Sequence, residues 1–157
     1  MLIFCCWLLQ INLLYDSECP LCLHEIKFLE KRDINGNIKF TDLAAPDYNE
    51  SSPENGKIDY EAGMKVIHAV MKDGEVVQGI EVFRRVYNAI GLGWVYACTS
   101  WPVIGPVVDW LYDIWARFRL QLTGRPALAQ VVKERAERLA ASGVPSCNDD
   151  KACKPLR

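Results

Sequence analysis

The residues in this chain best suited to chemistry are two cysteines separated by two positions, Cys19 and Cys22. An apolar run with strand character, Ile11 to Tyr15, leads into the pair, and a segment with helical spacing follows it. A cysteine at a helix start lies beside unpaired backbone N–H groups and the positive end of the helix dipole, which stabilise a thiolate. Strand, Cys-x-x-Cys and helix therefore predict a redox dithiol, with Cys19 as the exposed nucleophile and Cys22 as the buried resolving thiol.

Three other uses of the pair compete with this interpretation. A zinc site needs a second pair of ligands, which only Cys147 and Cys153 could supply. Haem attachment requires histidine directly after the second cysteine, but Leu23 stands there and His24 is one place too far. Two unreactive structural cysteines are the third alternative, because free cysteine is often buried.

Asp16 lies three residues before Cys19, at the end of the predicted strand. A partly buried carboxylate there could accept the proton of Cys22 when the resolving thiol attacks. It could also accept hydrogen bonds from backbone N–H groups at the helix start, and the two roles are compatible. We therefore predict Cys19, Cys22 and Asp16 as the catalytic residues.

The segment Asp16-Ser17-Glu18-Cys19-Pro20-Leu21-Cys22 resembles the Asp-x-x-Cys-x-x-Cys signature of the DCC family of thiol-disulfide oxidoreductases, especially its plant and algal organellar members. The similarity covers roughly residues 11 to 126. It implies a thioredoxin-like fold, thiol-disulfide exchange without a metal or organic cofactor, and a location in the chloroplast or mitochondrion. The further matching segments are Lys39-Phe40-Thr41-Asp42, Ile67-His68-Ala69, Phe83-Arg84-Arg85-Val86-Tyr87, Gly91-Leu92-Gly93-Trp94 and Leu122-Thr123-Gly124-Arg125.

The size and composition indicate one domain of 157 residues, large enough to bury a core. Half of the residues are hydrophobic and the formal net charge is −2, which favours neither nucleic acid nor an acidic partner. Seven cysteines are an odd number and do not form a secreted disulfide framework. They indicate a compartment with an active thiol system.

The segments up to residue 92 alternate between strand and helix patterns. No proline stands in Gly63-Met64-Lys65-Val66, where thioredoxins carry a cis-proline facing the dithiol, which argues against an ordinary peptide groove. Arg84 and Arg85 are expected to face solvent, where one could reach an anion. The predicted elements are a strand at Ile11–Tyr15, a helix at Cys19–Lys31, a strand at Ile38–Asp42, a surface loop at Ala44–Lys57, a short helix at Tyr60–Lys65, an antiparallel pair formed by Val66–Val70 and Glu75–Val77, and a helix at Glu81–Ile90.

The region from Gly93 to Leu122 contains four of the five tryptophans and predicts a short helix, a turn and a longer helix from Pro106. Trp110 and Tyr112 lie off the main apolar stripe, so with Trp101 we expect them to dock an organellar membrane complex or a bilayer edge. A last helix should follow Pro126. The stripe expected to be buried consists of Val107, Val108, Leu111, Ile114, Trp115, Phe118 and Leu122.

Three single residues have simple structural interpretations. His24 is expected at the surface of the first helix, His68 as a hydrogen-bonded histidine inside an apolar strand, and Cys98 in the core.

The predicted fold is therefore α/β, a thioredoxin-like four-stranded mixed sheet flanked by helices with an added aromatic-rich C-terminal helical segment. We assign residues 9–92 to the core, 93–142 to the extension packed on the same domain, and 143–157 to a polar, flexible tail. In that tail Cys147 and Cys153 could close a local disulfide. The apolar start, Met1 to Leu9, is too short for the ~20 residues of a membrane span, lacks the basic start of a signal peptide, and is interpreted as a strand plus an incomplete or processed terminus.

Two functions follow from these patterns. The first is thiol-disulfide exchange with protein or small-thiol substrates. The second is an accessory subunit of an organellar membrane complex, photosynthetic or respiratory, in which the aromatic segment makes the contact and the dithiol is vestigial.

Overall fold

The computed structural model of this chain describes residues 11–102 and 104–141. The expectations for Met1 to Leu9, for the tail 143–157 and for a Cys147–Cys153 disulfide lie outside these residues. In chain order the elements are β1 (Ile11–Tyr15), α1 (Pro20–Arg32), β2 (Ile38–Asp42), a 3₁₀ turn (Pro53–Asn55), α2 (Tyr60–Lys65), β3 (His68–Met71), β4 (Val76–Gln78), α3 (Ile80–Ala89), a 3₁₀ segment (Gly93–Ser100), α4 (Ile104–Leu122) and α5 (Leu128–Ala141).

The four strands form one mixed sheet in the order β2-β1-β3-β4. Strands β1 and β2 are parallel, with Ile11 opposite Ile38 and Tyr15 opposite Asp42. A parallel pair needs a crossover connection, which α1 provides. Strand β3 is antiparallel to both β1 and β4. This arrangement confirms the predicted α/β architecture and is consistent with a thioredoxin-like fold.

Strand β1 is buried on both faces, which explains its continuous apolar sequence. Successive side chains of a strand point to opposite sides of the sheet. Leu13 packs in one cluster with Ile26 of α1 and Val82 of α3. Leu14 packs in the second cluster with Met64 of α2 and Leu120 of α4. The carboxyl end of this central strand delivers the chain to the cysteine pair.

The first turn of α1 is built on the Cys-x-x-Cys sequence itself. Cys19 is the N-cap residue and Pro20 the first helical residue, one position later than predicted for the helix start. A proline there sacrifices no hydrogen bond, because the first N–H groups of a helix have no intrahelical partner. The Leu23 N–H donates to the Cys19 carbonyl at 2.9 Å, so Cys22 lies one turn into the helix.

Helix α4 turns a different face inward from the one its apolar stripe predicts. Val107, Leu111 and Phe118 are each about half exposed, whereas Tyr112 and Ala116 are buried. The prediction that the stripe is buried is therefore wrong. Of Trp110 and Tyr112, at least one of which was expected outside, Trp110 is exposed and Tyr112 is buried, so Tyr112 is not available as a contact residue. Trp101 and Trp110 are each 62% exposed, as expected for those two residues.

The orientation of α4 is set by the close approach of its backbone to Thr99 and by hydrogen bonds rather than by the burial of the largest apolar area. Gly105 lies against the Thr99 carbonyl, where an added Cβ would stand 2.8 Å from the oxygen. The Tyr112 hydroxyl accepts the Ile67 N–H at 3.2 Å. A small residue and a bonded tyrosine thus form the inward face, and the larger apolar side chains remain outside.

Two further predictions, for residues that lie near α4, are also wrong. Cys98 was expected in the core but is exposed, whereas its neighbour Thr99 is buried. Arg84 was expected to face solvent but is largely covered, because its guanidinium donates to the Thr99 hydroxyl at 2.7 Å and to the Thr99 carbonyl. Arg85 is exposed, as predicted.

Both histidine predictions are confirmed. His24 is exposed on α1. His68 is buried in β3, and its Nδ1 lies 2.9 Å from the Val66 carbonyl. Burial lowers the pKa of His68, so this ring is a neutral core residue.

Candidate active site

The two cysteines are placed at the amino end of α1, but their exposures are the reverse of the prediction. Cys19 is 1% exposed, whereas Cys22 is partly exposed. The reason is the tight turn before the helix, in which the Cys19 N–H donates to the Asp16 carbonyl at 3.2 Å. That turn places the Cys19 side chain in the interior, whereas Cys22, one helical turn later, lies closer to the surface.

The electrostatics of the pair favour the thiolate at Cys19, the predicted nucleophile. The hydrogen bond from the Cys22 thiol lowers the pKa of Cys19 to about 6, and this outweighs the opposing effect of burial. The pKa of Cys22 is raised, first by that same hydrogen bond and then by burial and the charge on Cys19. These opposite shifts make Cys19 the more acidic thiol of the pair and Cys22 the one that keeps its proton more tightly.

Asp16 lies behind the pair with its carboxylate almost fully buried, at 2% exposure. One carboxylate oxygen accepts the Glu18 N–H at 3.0 Å, so the expected backbone interaction is present. Burial raises the pKa of Asp16, and the neighbouring Arg125 opposes that rise. Its negative charge in turn raises the pKa of both Cys19 and Cys22. A buried carboxyl with a raised pKa also has the properties of a proton acceptor, the other role predicted for Asp16.

Arg125 supplies the positive charge that balances Asp16. It comes from the turn after α4 and its side chain is only 13% exposed. The guanidinium forms a salt bridge to Asp16 and a second one to Glu18 at 2.7 Å. The backbone N–H of Arg125 donates to the Leu120 carbonyl at 2.8 Å, and this hydrogen bond holds the turn against the end of α4. Arg138 of α5 adds an exposed contact to Glu18 at 2.6 Å.

Arg119 of α4 is the second arginine that reaches the dithiol. It is 3% exposed, and one of its terminal nitrogens, Nη1, lies 4.0 Å from the Cys22 sulfur. Its other terminal nitrogen, Nη2, donates to the Met64 carbonyl at 2.5 Å. Its charge lowers the pKa of both cysteines. Met64 belongs to the segment without proline, and no cis peptide bond occurs in residues 11–102 or 104–141. The Met64 carbonyl of this segment therefore helps to hold the Arg119 cation of α4 beside the dithiol.

A cavity of about 200 Å³ opens beside Cys22, between β1 and helices α1, α3 and α4. Cys22 and Arg119 form part of its wall, together with Asp16 and Glu25. Most of the remaining wall is apolar and includes Leu13, Ile26, Val82, Phe83, Tyr112 and Trp115. The dithiol thus faces an apolar space on its Cys22 side. Within the part of the chain that the structure describes, no cluster of three or more metal-ligating side chains occurs.

A known protein family matches the part of the sequence that contains this site. The sequence profile of the DCC1-like thiol-disulfide oxidoreductases matches residues 13–125, which include the whole site from Asp16 to Arg125. The chain belongs to this family.

Within the DCC1-like family, one similar protein comes from Arabidopsis thaliana and is named as an uncharacterized chloroplastic protein. It is 43% identical over 146 residues, which are 92% of this chain and 65% of the relative. The chain therefore spans about two thirds of that relative's length. No solved structure matches the chain.

Two residues of the site, Arg119 and Arg125, are not predicted by the sequence patterns of this DCC1-like protein. Arg125 lies within the family-like segment Leu122-Thr123-Gly124-Arg125, but that segment does not assign it to the site. A signal for Arg125 did exist, since a predicted buried Asp16 requires a cation. No signal marked Arg119, because it lies on a helix whose apolar stripe predicted a different inward face.

Proposed function

We propose that this domain exchanges its Cys19–Cys22 dithiol with disulfides of proteins or small thiols. The observation that carries the proposal is the placement of the Cys19–Cys22 pair in the first turn of α1, beside the buried Asp16 and with the Arg119 guanidinium 4.0 Å from the Cys22 sulfur, an environment that favours a thiolate on Cys19. A thiolate, not a thiol, is the species that attacks a disulfide. Family membership supports the general activity, and the arrangement of Cys19, Cys22 and Asp16 supports these particular residues.

The exchange proceeds in two steps that balance in atoms and electrons. The Cys19 thiolate attacks one sulfur of the substrate disulfide, forming a mixed disulfide and releasing the other substrate sulfur as a thiolate. Cys22 then attacks the Cys19 sulfur, which closes the protein disulfide and releases the second substrate thiol. The substrate gains two electrons and the dithiol loses two.

The second step requires Cys22 to lose its proton. The largest cause of its raised pKa, the hydrogen bond to a charged Cys19, disappears once Cys19 is bonded to substrate. Arg119 then lies next to the developing Cys22 thiolate, and Asp16 is the nearby carboxylate that takes the proton. Because Cys19 is buried in the reduced protein, the first step requires the start of α1 to move and admit the substrate.

The proposal predicts one thiolate at neutral pH. In the reduced protein, thiolate absorbance at 240 nm should rise through pH about 6, and this transition should be missing from Cys19→Ser. The pKa of Cys19 is lowered on folding, so its contribution to the stability of the reduced form is present above the ordinary thiol pKa of 9.0 and is lost as the pH falls through about 6. A wild-type protein whose Cys19 and Cys22 never form a disulfide in oxidising glutathione buffers would contradict the proposal.

The location we propose is the chloroplast. The Arabidopsis relative is named as chloroplastic, which favours this organelle over the mitochondrion for the present chain. Among residues 11–102 and 104–141, no helix has the length and apolarity needed to cross a bilayer.

A second candidate function, docking to an organellar membrane complex, is favoured by an exposed apolar surface on α4 and the segment before it. Trp101 and Trp110 belong to it, and Tyr112 is removed from the proposed contact because it is buried. Exposed apolar patches of this kind mark interaction sites, and tryptophan is enriched in them. We call it the α4 apolar surface; its members are Trp94, Val95, Trp101, Ile104, Val107, Trp110, Leu111, Trp115, Phe118 and Leu122.

The docking proposal predicts that Trp101→Ser with Trp110→Ser leaves the free energy of unfolding within about 1 kcal/mol of wild type, because both side chains are exposed. Co-sedimentation with chloroplast membranes should be lost. Ile34→Ser is the matched control, since Ile34 is 92% exposed and lies outside the α4 apolar surface. Tyr112→Ser should instead destabilise the fold by about 3 kcal/mol, as expected for a buried aromatic residue. Membrane association that survives the double substitution would rule out docking through this surface.

A further inference from the structure

The cavity beside Cys22 is large enough to hold a small ligand. Its volume is about 200 Å³, and an apolar cavity of about 150 Å³ can hold a benzene ring. The lining residues with the greatest exposure, Leu21 at 48% and Trp115 at 36%, mark the way in from solvent. A molecule of one-ring size therefore fits the space and can reach it.

Arg119 gives the apolar cavity one strong hydrogen-bond donor group. A guanidinium carries five N–H donors, and Arg119 uses them on the Met64 carbonyl and on a long, 4.0 Å contact with the Cys22 sulfur. Its Nε is buried without a hydrogen-bond partner among the described residues. Buried donors left unpaired cost free energy, so an oxygen acceptor placed in the cavity would be held there.

The charges around the cavity favour a neutral acceptor over an anion. Asp16 and Glu25 both form part of the wall. Asp16 is balanced by Arg125, whereas the partner of Glu25 shown among the described residues is the uncharged Tyr87 hydroxyl, which donates to it at 2.8 Å. A carboxylate ligand bound to Arg119 would share the cavity with the Glu25 carboxylate and be repelled by it, but a carbonyl oxygen would not.

We infer that the cavity beside Cys22 binds a neutral, mainly apolar carbonyl compound of one-ring size, such as an aromatic ketone or a quinone ring, with its oxygen on Arg119. The bound molecule covers the Cys22 sulfur, since both border the same space. Binding therefore competes with the resolving step at the dithiol. The binding itself does not depend on the proposed thiol-disulfide activity, because it uses the cavity and Arg119 rather than the electrons of the pair.

Three probes of nearly equal shape test the inference: acetophenone, α-methylstyrene, which replaces its carbonyl oxygen by a methylene group, and benzoate, which is anionic. Binding to the full chain is measured by NMR titration, and the alkylation rate of Cys22 by iodoacetamide is measured in the Cys19→Ser background. We expect acetophenone to bind at least tenfold more tightly than the other two and to slow alkylation at least fivefold at saturation.

Two substitutions locate the site. Arg119→Met should reduce acetophenone affinity to that of α-methylstyrene. Leu21→Trp should narrow the entrance and weaken both probes at least fivefold; because Leu21 is half exposed, this variant is expected to fold even if Arg119→Met does not.

The wild-type comparison of the three probes decides the question independently of either variant. Equal affinity for acetophenone and α-methylstyrene, tighter binding of benzoate, or unprotected Cys22 at saturating acetophenone would each overturn the inference. A wild-type protein that binds acetophenone as expected but never forms the Cys19–Cys22 disulfide would contradict the proposed function and leave this inference standing, so the two failures are distinguishable.

Discussion

Cys22→Ser is expected to accumulate a stable mixed disulfide with an oxidised substrate, and Cys19→Ser is expected to form none above background. The pKa of Cys19 is lowered first by the hydrogen bond from Cys22, and the hydroxyl that Cys22→Ser introduces can still donate to the Cys19 sulfur, so this variant keeps a reactive thiolate. Removing Cys22 removes the sulfur that would resolve the intermediate, so the intermediate persists. Mass spectrometry after incubation with oxidised glutathione, or with a disulfide-containing peptide, gives the trapped fraction of each variant.

The difference in exposure between the two cysteines allows this test to distinguish a mechanism set by acidity from one set by access. Cys22 is the more exposed residue of the two, so a mechanism governed by access would give the opposite result, with trapping on Cys22 in the Cys19→Ser variant. That outcome would reverse the assigned roles. Cys98→Ser serves as the control, because Cys98 is exposed and lies outside the dithiol; its substitution should leave trapping in the wild-type and Cys22→Ser backgrounds unchanged.

Arg125→Met is expected to lower the free energy of unfolding by about 3 kcal/mol. It leaves the Asp16 carboxylate, which is 2% exposed, buried without its cation, and breaking a buried ion pair typically costs about 3–5 kcal/mol. Chemical denaturation at pH 7 measures the loss. Because both arginines contact Glu18, Arg138→Met is a matched control, and its 56% exposure predicts a loss of under about 1 kcal/mol.

The pH dependence of the stability loss in Arg125→Met tests whether the unpaired Asp16 carboxylate causes it. Burial already raises the pKa of Asp16, and Arg125 opposes this rise, so the variant's carboxyl should have a still higher pKa. A group whose folded pKa is raised penalises folding above that pKa, and the penalty disappears as the pH falls. The difference between Arg125→Met and wild type should therefore shrink toward acidic pH and also when Asp16→Asn is added. A loss equal to that of Arg138→Met, or one independent of pH, would contradict the assignment.

Local sequence patterns were sufficient to predict most of the secondary structure. The apolar run Ile11–Tyr15 and the segment Ile38–Asp42 form strands with the predicted bounds. Strands β3 and β4 form the predicted antiparallel pair, and Asp73-Gly74 between them is a sequence typical of a hairpin turn. These elements follow from interactions between residues close in the chain, namely alternation, turn chemistry and the fit of proline to a first helical turn. The same local arguments placed Cys19, Cys22 and Asp16 at one helix start.

Only the tertiary structure decided how α4 meets the rest of the molecule. Its apolar periodicity predicted one inward face, but Gly105, Tyr112 and Arg119 lie on the face that is buried. A small residue, a tyrosine hydroxyl and a guanidinium find partners on distant segments, such as the Ile67 N–H and the Met64 carbonyl. Such long-range hydrogen bonds leave no periodic signal in the sequence.

The chemistry of the dithiol is divided in the same way. The sequence by itself determined that a Cys-x-x-Cys pair begins a helix after a buried strand, because that requires only neighbouring residues. The tertiary structure decided that Arg119 and Arg125 bring the cations and that Cys22 faces an apolar cavity. Those features depend on residues about a hundred positions away in the chain, and their placement is set by the packing of α4 against the sheet.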